Sequence, residues 1–193
     1  MSNKSRLQTE LKKKGAFVSR EQEVLLNLAR TFDQLSIRLE RLIQSHGLTG
    51  SQYNVLRILR GEGTPLPMNE IARRTVQVLP GITGLVDRLE VAGLVKREQS
   101  AEDRRVIFLS ITERALAVLA DLDIPLPALE KKLLDVLSRD EQREMIRLLE
   151  KIRGRLESLD GGEDVRRVEA PTKRSRAIVR KTRASFVRSS IND

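Results

Sequence analysis

At 193 residues, with 39% hydrophobic but only 3% aromatic residues, the chain suits one compact, mainly helical domain with or without tails. It contains no cysteine, which excludes disulfides, thiol redox sensing and thiolate metal sites. Its net charge of +9 is uneven: residues 1–20 carry six basic groups against one acidic and residues 161–193 carry nine against four, so a nearly neutral body bears two basic tails.

Residues 1–20 read as a loosely ordered basic tail. A long helix is predicted from about Glu21 to Ser45. Val24, Leu28, Phe32, Leu35, Leu39 and Leu42 fall three or four apart in it, one stripe at helical period. Leu25 and Ile43 widen the stripe, and His46-Gly47 ends it. Thr49 with Gln52 forms a capping box, and Leu48 can staple onto Tyr53. The helix begun there carries Val55, Leu56 and Leu59 and is expected to stop at Gly61 and Gly63. Residues 64–67 read as a turn. Pro67 is expected in the first turn of a short helix reaching about Thr75, with Ile71 and Ala72 inward.

Another short helix is predicted from Pro80 to Ala92. Ile82, Leu85, Val86 and Leu89 make its buried stripe, and Pro80, Gly81, Thr83, Gly84, Asp87 and Arg88 make its other face. The period then changes. Residues 94–98 and 106–111 read as two strands of a hairpin, joined by the polar loop 99–105. Thr112 can cap a helix through about Asp121. Pro125 and Pro127 are expected to break it before helix resumes over 128–137. Ser138 with Glu141 makes a second capping box. The last helix carries Met145, Leu149, Ile152, Leu156 and Leu159 at alternating spacings of four and three, a coiled-coil-like seam ended by Gly161-Gly162. Residues 163–193 show no sustained period and many charges, so disorder is expected.

Short helices followed by a hairpin form a winged helix-turn-helix, here flanked by long N- and C-terminal helices. The geometry has a use. A helix held out by a tight turn fits the major groove, and a hairpin beside it can reach phosphates or the minor groove. Arg104 and Arg105 stand at the hairpin tip, flexible cations suited to the negative potential there. The basic tails point the same way, to a polyanion. The C-terminal tail reads either as an arm adding phosphate contacts or as a segment with no role at DNA.

The residues also resemble a family. Leu48-Thr49, Gln52, Val55-Leu56, then Glu70-Ile71-Ala72, then Val86-Asp87-Arg88-Leu89-Glu90, Gly93-Leu94-Val95, Arg97, Asp103-Arg104-Arg105 and Ile111-Thr112 are similar to the pattern of multiple-antibiotic-resistance regulators, the MarR family. The resemblance is close over about residues 48–113 and looser over the flanking long helices. It implies a two-fold homodimer joined through the N- and C-terminal helices. It implies two winged-helix lobes meeting successive major grooves of a pseudo-palindromic site on double-stranded DNA, often as a repressor. It also implies release by a small, often aromatic effector bound between the dimer region and the DNA lobes. By position, helix 80–92 corresponds to the recognition helix. Thr83 would contact phosphate or a base edge, Arg88 would bond a phosphate or hold the wing through Asp103, and Arg105 with Arg104 would enter the minor groove. The alternative for Asp87, Arg88 and Asp103 is ordinary surface ion pairing. Phe32, Leu35, Tyr53 and Leu56 are the candidate effector-pocket residues, with ordinary core as their alternative.

The chain also departs from that pattern. Gly81 and Gly84, placed on the exposed face of the recognition helix, would cost it about 1 kcal/mol each against alanine. They leave few side chains to read bases, which favours close backbone approach and shape readout. Leu79 stands where a polar cap is expected.

Other chemistries find little support. The single histidine, His46, sits at a helix end and reads as a capping or surface residue, so no metal site and no cofactor is expected. No phosphate-binding loop or nucleophile–base pair stands out, and no enzyme is expected. Without a run of about 18 apolar residues or an apolar N-terminal stretch, no membrane partner is expected and the protein should be cytoplasmic. The main reading is a sequence-specific transcription regulator, possible release by a small effector included. Its rival is an architectural, nucleoid-associated DNA binder of low specificity. A winged helix serving protein contact fits less well, because a protein partner would not require arginines at the wing tip.

Overall fold

The computed structural model describes residues 5–75 and 81–160. The chain divides into two compact units between Val136 and Leu137. The first holds α1 (Arg6–Glu10), α2 (Arg20–Ser45), α3 (Gly50–Glu62), β1 (Leu66–Pro67), α4 (Met68–Arg74), α5 (Ile82–Val91), β2 (Val95–Gln99), β3 (Ile107–Ile111), α6 (Glu113–Leu122) and α7 (Pro125–Leu134). The described part of the second is α8 (Arg139–Asp160).

The N-terminal residues expected to be loose include an ordered turn, α1. Ser5 and Gln8 form a capping box around its first amides, and Leu7 is buried. α2 starts where the Ser19 hydroxyl accepts from the Gln22 N–H at 3.1 Å. His46 closes it, its Nδ1 lying 3.0 Å from the Leu42 carbonyl. The predicted stripe of α2 is only partly covered: Val24, Leu25 and Phe32 remain 50%, 64% and 57% exposed, while Ile43 is buried.

The capping box of α3 forms as expected, with Thr49 Oγ1 accepting from Gln52 N–H at 3.3 Å and Gln52 Oε1 accepting from Thr49 N–H at 2.9 Å. The Gly50 N–H also donates to both oxygens of Glu40, at 2.9 and 3.1 Å. A Cβ at Gly50 would displace that carboxylate, the far end of the Glu40 side chain. Gly61 does not stop α3; the helix runs on to Glu62 and closes on Gly63 in the left-handed conformation, φ +73°.

Three further expectations are corrected. The turn 64–67 contains a short strand, β1, so the sheet has three strands in the order β1-β3-β2, antiparallel throughout. Pro67 ends that strand at the sheet edge and is the N-cap residue of α4 rather than part of its first turn. Pro125 and Pro127 lie inside the first turn of α7, where an N–H would have no intrahelical acceptor, so the break falls before them at residues 123–124.

One core joins these pieces. Val55, Leu56 and Leu59 of α3 pack with Ile71 of α4, Val86 and Leu89 of α5, Leu109 of β3 and Leu119 of α6, all at 1% exposure or less. Thr112 seals the far end, accepting from Ala115 N–H at 3.2 Å and donating to Gly93 O at 2.8 Å. Arg74 ties α4 to α3, its Nη1 donating to Glu62 at 2.6 Å while its Nε donates to Glu70 at 2.6 Å. Those arginines, Arg74 and then Arg73, hold the Glu70 carboxyl below its ordinary pKa.

In the second unit Ser138 and Glu141 cap α8 reciprocally, at 2.8 and 3.3 Å, and the Ser138 bonds hold the Glu141 carboxyl below its ordinary pKa. No residue of α8 with a described side chain is buried, and Met145, Ile146, Ile152 and Leu156 are exposed.

Candidate nucleic-acid interface

The apolar spacing of α5 puts Leu85, Val86 and Leu89 in the core and turns Thr83, Asp87 and Arg88 outward. Gly81 is not on the face of this helix. It is the N-cap residue, left-handed at φ +80° and ψ +43°, so it supplies a backbone conformation that a side chain would strain. Gly84 does lie within α5. A Cβ there would meet only Arg88 Nη1, at 3.8 Å, so the Arg88 guanidinium runs back over the Gly84 face. Arg88 has no ion pair among the described residues, which leaves its charge free for a phosphate. Pro80 and Leu79 lie outside the described residues.

The wing is a closed hairpin rather than a loose loop. Val95 pairs with Ile111 and Gln99 with Ile107. At its tip the Ser100 hydroxyl accepts from the Glu102 and Asp103 N–H groups at 3.2 and 3.3 Å. Asp103 Oδ1 accepts from the Arg105 N–H at 2.9 Å, and the Asp103 carbonyl accepts from Val106 at 2.9 Å. Asp103 therefore shapes the turn and does not meet Arg88, contrary to one sequence expectation. Arg104 and Arg105 project from this turn, exposed and without ion pairs among the described residues. The Arg105 stem borders a 300 Å³ cavity with Met68, Ile82 and Ile107, between α4, α5 and the wing.

The link between wing and helix is Arg97, to which the sequence alone assigns no role. Arg97 of β2 donates from Nη2 to Asp87 Oδ1 at 2.5 Å and to the Thr83 carbonyl at 3.4 Å. A signal existed. Arg97 shares a strand face with buried Val95, and a guanidinium facing inward requires a carboxylate. Asp87 and Glu90, three apart on one helix face, supply two.

The MarR family model matches residues 46–106. The uncharacterized HTH-type transcriptional regulator YkoM of Bacillus subtilis (strain 168) is 32% identical over 141 residues, covering 70% of this chain and 90% of that protein. A MarR transcription factor structure from Planctomyces limnophilus is 39% identical, covers 70% of this chain and 98% of the other, and superposes with a TM-score of 0.53. The chain belongs to the MarR family. The homoprotocatechuate degradative operon repressor of Escherichia coli is 31% identical over 77 residues, 40% of this chain and 51% of that protein. The relatives are transcription regulators, and this MarR-family chain has their mainly helical, winged-helix fold. Among its described residues no helix is long and apolar enough to cross a membrane, and no group of acidic or histidine side chains could hold a metal.

The candidate effector residues do not form one site in this MarR-family chain. Phe32 and Tyr53 line a 460 Å³ cavity between α2, α3 and α7, with Leu39, Ile43, Arg57, Leu126 and Glu130. Burial raises the Tyr53 pKa above its ordinary value. Leu35, less than a turn from Phe32, faces a different 400 Å³ cavity between α1 and α2, beside Arg30 and Arg38. Leu56 is fully buried in the core and lines neither.

Proposed function

We propose that the chain is a homodimeric repressor that binds a pseudo-palindromic operator in double-stranded DNA. In this reading α5 enters the major groove and the wing reaches the flanking minor groove. The observation that carries it is the pairing of Arg104 and Arg105, unpaired at a hydrogen-bonded wing tip, with the α5 face of exposed Thr83 and Arg88 and half-buried Gly84. Thr83 and Arg88 hold phosphate or a base edge, and Gly84 allows close backbone approach. Dimerisation uses the exposed apolar residues of α2 and α8, which would otherwise stay in water. The basic residues of 161–193, outside the 21–160 body, add phosphate contacts, and so do those of 1–20 although α1 packs there.

A small aromatic effector fits the cavity lined by Phe32 and Tyr53, which mixes apolar side chains with polar and charged ones and has a volume in the ordinary ligand range. The operon repressor among the relatives supports the repressor role. The protein would work in the cytoplasm.

A titration of full-length protein against its own promoter DNA and a scrambled duplex of equal length, across several salt concentrations, tests the reading. A specificity ratio of about 10³ or more is expected. A ratio near one with steep salt dependence would replace it with the architectural reading, which the basic tails and Gly84 favour.

A further inference from the structure

Reading two grooves at once requires the recognition helix and the wing to keep a fixed mutual angle. We propose that Arg97 is the positioning residue that sets this angle, and that it governs sequence discrimination rather than attraction to phosphate. The inference rests on the reading of α5 and the wing as the DNA-binding surface.

Arg97 sits where a small error becomes a large one. Its strand partner is Leu109, fully buried at the centre of β3, so this end of the hairpin is anchored in the core. The tip begins only three residues further on, at Ser100. The Arg97 side chain is 21% exposed, far more enclosed than an arginine free to seek solvent. Its Nη2 spans Asp87 Oδ1 and the Thr83 carbonyl at 2.5 and 3.4 Å, and its buried Nε lies 3.3 Å from Glu90 Oε2, off line for a hydrogen bond. Thr83, Asp87 and Glu90 follow one another four and three residues apart, so one rigid guanidinium meets α5 along two turns of a single face. By contrast, Arg88, Arg104 and Arg105 have no ion pair among the described residues. The basic groups of this surface therefore divide in two. Three are free for DNA, and Arg97 is used to hold two elements together.

That division predicts a separable phenotype. Loosening the bracket leaves the free cations and their phosphate attraction, but it blurs the register in which α5 and the wing meet base edges. The test uses full-length protein with the promoter duplex and a scrambled duplex at several salt concentrations. The variants are Arg97→Met, Arg97→Lys, Asp87→Asn and the charge-balanced pair Asp87→Asn/Arg97→Met. Arg97→Met should lower promoter affinity about tenfold, leave scrambled-duplex affinity within about threefold, and keep the salt slope. Arg97→Lys, which keeps charge but loses the fork, should fall between. The charge-balanced pair should be as defective as Arg97→Met, because charge is restored and the bracket is not.

Equal losses on both duplexes, with the salt slope reduced by about 0.9, would make Arg97 a phosphate-binding residue and overturn the proposal. Full rescue in the charge-balanced pair, or an unchanged Arg97→Met, would overturn it too. If circular dichroism finds Arg97→Met unfolded, Asp87→Asn decides from the helix side by the same criteria. A wild-type protein that binds both duplexes equally would overturn the site-specific reading and this inference together, whereas a selective wild type with an equally selective Arg97→Met overturns the inference alone.

Discussion

The winged-helix lobe and the long helices treat their apolar residues in opposite ways. In the lobe, α3, α4, α5 and β3 each put at least one large side chain at or below 1% exposure, and the chain closes its own core. In α2 the predicted stripe leaves Val24, Leu25 and Phe32 at least half exposed, and in α8 the seam residues Met145, Ile152 and Leu156 are exposed as well. The same periodic signal in sequence has two meanings. One stripe is satisfied within the chain, and the other is satisfied only when something else covers it. In the function proposed above, the lobe with its closed core is the reading head, and the exposed apolar residues of the long helices serve an assembly.

That contrast can be broken most directly by truncating one residue in each region. Leu56→Ala should lower unfolding free energy by about 2–5 kcal/mol in a denaturant titration, because it opens a cavity in a closed core. Phe32→Ala should cost the lobe far less, and its effect should appear as a protein-concentration dependence of melting. Equal, concentration-independent losses would erase the distinction.

The assembly half is sharpened by Ile152→Lys with Leu156→Lys. Light scattering at micromolar concentration should then find a monomer, whereas the unaltered chain should run as a dimer. A monomeric unaltered chain would contradict the account.

In the reading head, Arg104→Ala with Arg105→Ala should weaken promoter binding. Its salt dependence should flatten by about 0.9 for each phosphate no longer neutralised. Unchanged binding would remove the wing from the mechanism.

The smallest effects separate two glycines. Gly81→Ala should destabilise by about 1–2 kcal/mol through its left-handed backbone. Gly84→Ala should stabilise by up to about 1 kcal/mol, since a Cβ there meets nothing closer than 3.8 Å, yet bind DNA more weakly through the added methyl. Equal melting shifts would show that the two glycines do the same thing.

Much of the fold was legible because it is local. The capping boxes at Thr49 and Gln52 and at Ser138 and Glu141 mark helix starts within a residue, and the change from helical period to alternation marks the hairpin. What escaped depends on neighbours remote in sequence. β1 is two residues long and exists only because Leu66 and Pro67 meet β3, so no period could announce it. Gly81 looked like a helix residue because sequence does not reveal a positive φ. The Asp103 carboxylate looked available to Arg88 until the turn claimed it for the Arg105 amide. The effector set divides for a related reason. Phe32 and Leu35 share a stripe, but a stripe is wide enough to face two cavities.

A hydroxyl-radical footprint of the full-length protein on its promoter DNA tests the central claim most directly, because it reports both the reading head and the assembly. The account predicts two equivalent protected half-sites about one helical turn apart, each with a minor-groove protection that disappears in the Arg104→Ala/Arg105→Ala variant. A single unpaired half-site, or uniform protection without two-fold symmetry, would contradict it.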